Sequence, residues 1–483
     1  MSGTMKFSRE QFDRAFNPRV VAVVGDKRMN NFLWLKALQS FRGKLYSVQI
    51  DPNEIPAIEA LGVENVKSLH DIGEPIDYVV LAVPRQVAPR VLQDCAQKQV
   101  GAVTLFTAGF SETGEEGGKR LEQEIADIAR RHHLLLIGPN CMGLANLKIG
   151  LCNYAGEPVG ETAAGGVAFL GQSGTHTVNF CLRAPARGVG LSKAASFGNA
   201  TVVDAGDYLE YLRDDPETSA IAMYLEGVRA GRRFYEVLRT VTPHKPVVIW
   251  KGGQSEAGHR AIFSHTAALA TPTAVWQGMA RQAGAVSVDD LDELIDVVAA
   301  LQSGKVATGF RAGLITMTGG PSVAITDAFT RAGLAVPLLS ESSYRRLGEF
   351  FNVVGGSFRN PLDAGGTIAM GFRTDNLERL LDILDADTGI DVIALDLGAG
   401  LAVDRWREMP GGLTAMIDLL VGFQMRSRKP MAVILEPAHR EAEVAAVRED
   451  FAKRGLLALP NAGRAALALR KLVEYQLFRQ RLG

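Results

Sequence analysis

The chain has 483 residues, enough for roughly three domains of ordinary size. Its 52 Lys and Arg are matched by 53 Asp and Glu, so the basic excess of a nucleic-acid-binding chain is missing. No apolar run nears the roughly 20 residues that a membrane span needs.

From the N-terminus, Val20-Val21-Ala22-Val23-Val24 runs straight into Gly25. Further strands are expected at 45–50, 78–83, 102–106 and 134–137, with a helix over 115–132 that starts acidic and ends basic. The same opening recurs where Val167-Ala168-Phe169-Leu170 meets Gly171-Gln172-Ser173-Gly174, followed by strands at 191–195, 221–225 and 247–250. It recurs again where Leu314-Ile315-Thr316-Met317 meets Thr318-Gly319-Gly320-Pro321, followed by strands at 392–395 and 431–435. None of these runs alternates with period two, so each reads as a strand buried on both faces of a parallel sheet. The three openings lie about 150 residues apart, which implies three α/β domains in tandem. Their expected extents are 1–150, 160–303 and 310–483.

Cys95, Cys141, Cys152 and Cys181 show no C-x-x-C spacing, so neither a zinc ribbon nor a thioredoxin-like motif is expected. A disulfide framework is equally out of place at this length, and the N-terminus carries no apolar leader core; a cytoplasmic location is expected. No P-loop is present. The first strand-to-helix turn, Gly25-Asp26-Lys27-Arg28-Met29-Asn30-Asn31, departs from G-x-G-x-x-G, which argues against NAD held in the usual way. Gly171-Gln172-Ser173-Gly174-Thr175 fails as a nucleophile elbow, because Thr175 stands where Gly is needed. It suits an anion, since small residues let N–H groups at a helix start point at a phosphate; a plain tight turn fits the spacing as well. Gly319 and Gly320 offer a second such start.

Among eight histidines, His176 and most others carry no pattern, whereas His265 lies in a Gly-rich polar stretch after the 247–250 strand. An imidazole there suits nucleophilic or acid/base work, although a plain surface-loop histidine fits the pattern too. Glu226, at a strand end, suits orienting such a ring, because a carboxylate on one nitrogen fixes the tautomer of the other; capping of the next helix is the alternative. The acidic cluster 289–296 reads as a helix start rather than a metal site, so no metal ligand is assigned, and Cys141 reads as structural.

These motifs together resemble the α subunit of NDP-forming acyl-CoA synthetases, the ADP-forming acetyl-CoA synthetases related to succinyl-CoA synthetase. The resemblance rests on Ala108-Gly109-Phe110-Ser111-Glu112, Gly138-Pro139-Asn140-Cys141-Met142-Gly143, Gly171-Gln172-Ser173-Gly174 and Ser196-Phe197-Gly198-Asn199-Ala200. It continues through Tyr224-Leu225-Glu226-Gly227, Ser264-His265-Thr266, Gly319-Gly320-Pro321 and Asn360-Pro361-Leu362-Asp363, in family order over nearly the whole chain. The implied fold is a Rossmann-like CoA-binding domain followed by two flavodoxin-like domains of the succinyl-CoA ligase type. The resemblance makes His265 the phosphorylated histidine and Glu226 its carboxylate. It gives the phosphate to Gln172, Ser173, Gly174, Thr175, Gly319 and Gly320. CoA falls to Gly25, Lys27, Arg28, Val83, Pro84, Ala108, Gly109, Phe110, Glu112 and Asn140. Three features depart from the family: Ala267 and Thr271 replace glycines after His265, Lys27 and Arg28 replace small residues, and Gln49-Ile50-Asp51-Pro52-Asn53 keeps part of V-N-P-K.

The activity so implied joins a small carboxylic acid to CoA, with ATP, ADP and Mg²⁺ handled by a separate ATP-grasp β-type subunit, as none follows within the 483 residues. A hetero-oligomer without nucleic acid or membrane contact is expected. The alternatives are a non-catalytic acyl-CoA-binding or regulatory protein, and an acyl- or carbamoyl-transferring relative on the same fold.

Overall fold

The computed structural model describes residues 6–152, 164–258, 260, 272–354, 356–368, 374–398, 411–437 and 439–482. Three β-sheets organise them. The first is built from β1 (Val20–Val24), β2 (Lys44–Val48), β3 (Glu64–Val66), β4 (Tyr78–Leu81), β5 (Ala102–Leu105) and β6 (Leu135–Ile137), in the order β3-β2-β1-β4-β5-β6. All its pairings are parallel. Every side chain of β1, β4 and β5 is buried, which is why their sequences are apolar without alternation. Each buried Val, Ile or Leu contributes roughly 1.5–3 kcal/mol relative to exposure. The order is that of a doubly wound nucleotide-binding sheet, whose switch point lies between β1 and β4.

The second sheet takes β7 (Gly143–Ala145), β8 (Ala164–Gly171), β9 (Leu191–Ser196), β10 (Ala220–Leu225), β11 (Val247–Lys251) and β12 (Val286–Val288), in the order β12-β11-β10-β8-β9-β7. Its five parallel strands have the flavodoxin-like order, with the switch point between β8 and β10. The edge strand β7 runs antiparallel to β9, a pairing that the all-parallel reading did not anticipate. The third sheet is β13 (Ala312–Thr316), β14 (Leu362–Asp363), β15 (Val392–Asp396), β16 (Met431–Ile434) and β17 (Leu457–Leu459), again in flavodoxin-like order, β14-β13-β15-β16-β17.

The chain forms two compact units: residues 1–183 with 190–289, holding the first two sheets, and 184–189 with 290–483, holding the third. In the first, a buried aromatic cluster ties the two sheets together: Phe12 and Phe16, before β1, stack on Tyr211, after β9, at 5.0 and 5.5 Å. In the second, the Arg464 guanidinium bonds buried Asp296 at 2.5 and 2.7 Å and Arg187 adds a third contact at 3.2 Å. Among the described residues no helix is long and apolar enough to cross a membrane.

Candidate functional site

A cleft of about 440 Å³ opens at the β1/β4 switch point of the first sheet. Gly25, Lys27, Val83 and Pro84 line it, four of the residues expected there. Gly25 has φ +86°, and a Cβ on it would stand 2.6 Å from Val83 Cγ1, so the turn requires glycine. The next residue shapes the loop. Buried Asp26 accepts backbone N–H groups of Trp34 and Leu35 at 2.9 and 3.0 Å and of Lys27 at 3.1 Å. Burial pushes its carboxyl up, and those three bonds oppose the rise. The start of the short helix Leu33–Ala37, which in dinucleotide folds faces a pyrophosphate, thus already holds a protein carboxylate. The cations lining the cleft are the side chains of Lys27, Lys67 and Arg90, interspersed with Asp51, Glu54 and Asp94. Arg28 sits outside this lining, exposed on the 3-10 turn Arg28–Asn30. Lys67 and Arg90 were missed in the sequence because neither belongs to a motif, and β3, which ends just before Lys67, is too short to be read from its pattern.

The remaining residues assigned to CoA form a second group beyond β5. Gly109 has φ +103°, Ala108 is exposed and Phe110 fully buried. Glu112 accepts the Gly109 N–H at 2.5 Å and the Phe110 N–H at 3.1 Å. Its other oxygen accepts Asn199 Nδ2 at 2.7 Å, and Asn140 Nδ2 reaches Asn199 Oδ1 at 3.4 Å. Asn199 Nδ2 also bonds Glu122, which further accepts from Thr201 at 2.8 Å and Arg229 at 3.2 Å. Burial raises the Glu122 carboxyl, but bonds from Ser111, Thr201 and Asn199 outweigh it and hold it below its usual range. Glu112 and Asn140 are therefore engaged in a network joining the loops of the first and second sheets.

At the β8/β10 switch point the helix Gly174–Arg183 starts directly after Gln172 and Ser173. The Gln172 side-chain carbonyl accepts the backbone N–H groups of Glu226 and Gly227, which locks the two strand ends together. Ser173 Oγ accepts the His176 N–H at 3.3 Å, while Thr175 is exposed. Met142 closes over the helix start: a Cβ on Gly174 would lie 2.8 Å from its Cγ. Glu226 does not cap the following helix Gly231–Val241, whose N-terminal cap is Ala230. Instead Tyr224 donates to Glu226 Oε1 at 3.3 Å, and Oε2 is buried with no hydrogen-bond partner among the described residues. His176, a residue without pattern in the sequence, packs its ring 4.5 Å from both Tyr224 and Trp250. His265 lies outside the described residues.

In the third sheet, Gly319 and Gly320 are exposed at the start of the helix Gly319–Arg331. They belong to the other compact unit. Cys141 is buried, with its thiol pushed up to about 12 by that burial, and reaches the Leu105 carbonyl at 3.6 Å. Asp290 caps the helix Leu291–Gln302 by accepting the Glu293 N–H at 2.7 Å, as an acidic helix start does. Among the described residues there is no cluster of three or more metal-ligating side chains.

A CoA-binding domain family matches residues 19–146, and a succinyl-CoA ligase-like flavodoxin domain family matches residues 164–301. The α subunit of ADP-forming acetate–CoA ligase II of Pyrococcus furiosus is 34% identical over 385 residues, 79% of this chain and 81% of the relative. ADP-forming acetate–CoA ligase I of Archaeoglobus fulgidus is also 34% identical over 385 residues, which make up 54% of that chain. Among solved structures, the dinucleotide forming acetyl-coenzyme A synthetase 1 of Ca. Korarchaeum cryptofilum, in complex with phosphate and ADP, superposes with a TM-score of 0.82 at 25% identity, covering 97% of each chain.

Proposed function

The chain belongs to the family of ADP-forming acetate–CoA ligase α subunits, and from that premise we propose that it is the α-type subunit of an NDP-forming acyl-CoA synthetase. The observation that carries the reading is the β8/β10 switch point. There the start of the helix Gly174–Arg183, with Met142 over Gly174, stands beside Glu226, a carboxylate with one buried oxygen unpartnered among the described residues. A helix start draws a phosphate; a free carboxylate draws an imidazole N–H.

The reaction runs in three reversible steps. A phosphate oxygen attacks the acyl-CoA carbonyl, the C–S bond breaks and CoA thiolate leaves. A His265 nitrogen then attacks phosphorus of the acyl phosphate and the carboxylate leaves. A terminal oxygen of ADP finally takes the phosphoryl group from His265, completing ATP. Gln172, Ser173, Gly174 and Thr175 receive the phosphate on the helix start, with Gly319 and Gly320 as a second phosphate-binding turn. Glu226 orients His265 and spreads its charge as the P–N bond forms. Positioning and electrostatics lower the barrier.

CoA lies along the β1/β4 cleft. The Gly25 turn, where any Cβ would clash, supports a close backbone approach by a ligand. Because Asp26 occupies the adjacent helix start, Lys27, Lys67 and Arg90 meet the CoA phosphates. The Glu112–Asn199–Asn140 network holds together the loops of the first and second sheets. ATP, ADP and Mg²⁺ are handled by an ATP-grasp β-type partner in a cytoplasmic hetero-oligomer, and the acid is a small carboxylic acid.

The test is a reconstituted assay of the chain with its nucleotide-binding partner, following ATP formation from acyl-CoA, ADP and phosphate. His265→Ala abolishes ATP formation while leaving CoA affinity unchanged. ATP formation that survives this substitution overturns the reading.

A further inference from the structure

We infer that His176 is a positioning residue for the phosphoryl group at the Gly174 helix start, taking up a proton when that group arrives and releasing it when it leaves. The inference rests on the reading of Gly171–Thr175 as the phosphate turn. His176 is the third residue of the helix Gly174–Arg183, and helical side chains lean back toward the N-terminal end. Its ring is held there from two sides, 4.5 Å from Tyr224 on β10 and 4.5 Å from Trp250 on β11. Tyr224 and Trp250 themselves pack at 4.6 Å, so the three rings make a closed aromatic corner at the strand ends.

Two polar atoms in this corner are buried without a partner among the described residues: His176 Nδ1 and Glu226 Oε2. Tyr224 links them, with its ring on His176 and its hydroxyl 3.3 Å from Glu226 Oε1. An unsatisfied buried polar atom is costly, and two in one corner mark a place built for something to fill. One of the two is an acceptor carboxylate, and a phosphoryl dianion placed next to it is repelled. An imidazole that protonates on arrival removes that repulsion and adds a charge-assisted bond.

The groups facing the ring are consistent with this switching. β10 presents Tyr224, with Glu226 just beyond its end. β11 presents Trp250 and, next to it, the Lys251 ammonium, which bonds the Gly252 carbonyl at 2.6 Å, lies 5.7 Å over the Trp276 ring and is attracted by the Glu226 carboxylate. Burial holds His176 below its ordinary value, so the ring is neutral before the anion arrives.

Inorganic phosphate is titrated calorimetrically into the full-length chain at about pH 7, in two buffers of different ionisation heat, for wild type, His176→Gln and His176→Phe. The Phe variant keeps the ring contacts and lacks the nitrogens. The wild type takes up more protons per phosphate bound than either variant, and its affinity falls more steeply as pH rises from about 6 to about 8. Phosphate binding with the same proton uptake in all three proteins overturns the role of His176 and leaves the phosphate turn standing. No phosphate binding by the wild type overturns the phosphate turn itself, and the role of His176 with it.

Discussion

At the scale of single residues, charge placement decides what the first-sheet cleft can hold. Asp26 fills the helix start that a dinucleotide fold offers to a pyrophosphate, so affinity for a phosphorylated ligand depends on side-chain cations. Lys67→Ala and Arg90→Ala therefore each raise the CoA dissociation constant by about tenfold, the size of one lost charge-assisted contact. Arg28→Ala, outside the cleft lining, changes it little. Fluorescence or calorimetric titration of the three variants checks the ranking. A second residue sets a pH dependence. Burial pushes the Asp396 carboxyl from 3.8 up to about 6, with the Gly398 N–H bond at 2.9 Å opposing. A carboxyl raised in the folded state favours folding below its unfolded value and loses that advantage as pH rises through about 6. Asp396→Asn consequently stabilises the chain above about pH 6, by up to about 3 kcal/mol, and has little effect near pH 4. Urea melts at the two pH values measure it.

At the scale of elements, the buried ion pair between β9 and the segment before β10 is the clearest structural joint. Lys193, 2% exposed, bonds Asp215 Oδ2 at 2.8 Å and Glu217 Oε2 at 3.0 Å, and Thr218 adds a bond to Asp215 at 2.6 Å. Burial raises the Asp215 carboxyl, but the bonds from Lys193 and Thr218 outweigh it and hold it below its usual range. Lys193→Ala leaves that carboxylate buried and unpaired, and costs about 3–5 kcal/mol in a urea melt. Lys193 sat in an apolar strand pattern and gave no sign of its partner 22 residues on. The same limit explains what else the sequence withheld. β1, β8, β10 and β11 were legible as continuous apolar runs, because both of their faces are covered. β3, β7, β12, β14 and β17 were not: each has two or three residues, and Glu64–Val66 and Leu362–Asp363 mix polar with apolar. The Asp290 cap was readable from local spacing, whereas Asp296 in the same helix is buried against Arg464, 168 residues away. Glu122 bonds Asn199 and Arg229 across 77 and 107 residues, a network no local pattern encodes. His176 was passed over because an isolated histidine says nothing until its neighbours are known.

At the scale of the whole molecule, the predicted chemistry divides between the carboxyl edges of the first and second sheets. The first sheet brings a glycine-dependent turn and three cationic side chains. The second brings a helix start and a carboxylate oxygen left unpartnered among the described residues. Three tandem units with the same opening explain why the fold was readable from repeated strand-then-turn patterns alone. The function was readable only from motifs taken in series, since each turn by itself admits a ligand-free reading. In the proposed reaction a phosphoryl group passes through His265. The most direct measurement supplies the chain, purified with its partner, with Mg²⁺ and ATP labelled at the γ-phosphate, and locates the label by peptide mass spectrometry. The expected result is an acid-labile phosphate on His265 that disappears when CoA and a small carboxylic acid are added together. An unlabelled His265 in the presence of a nucleotide-loaded partner contradicts it.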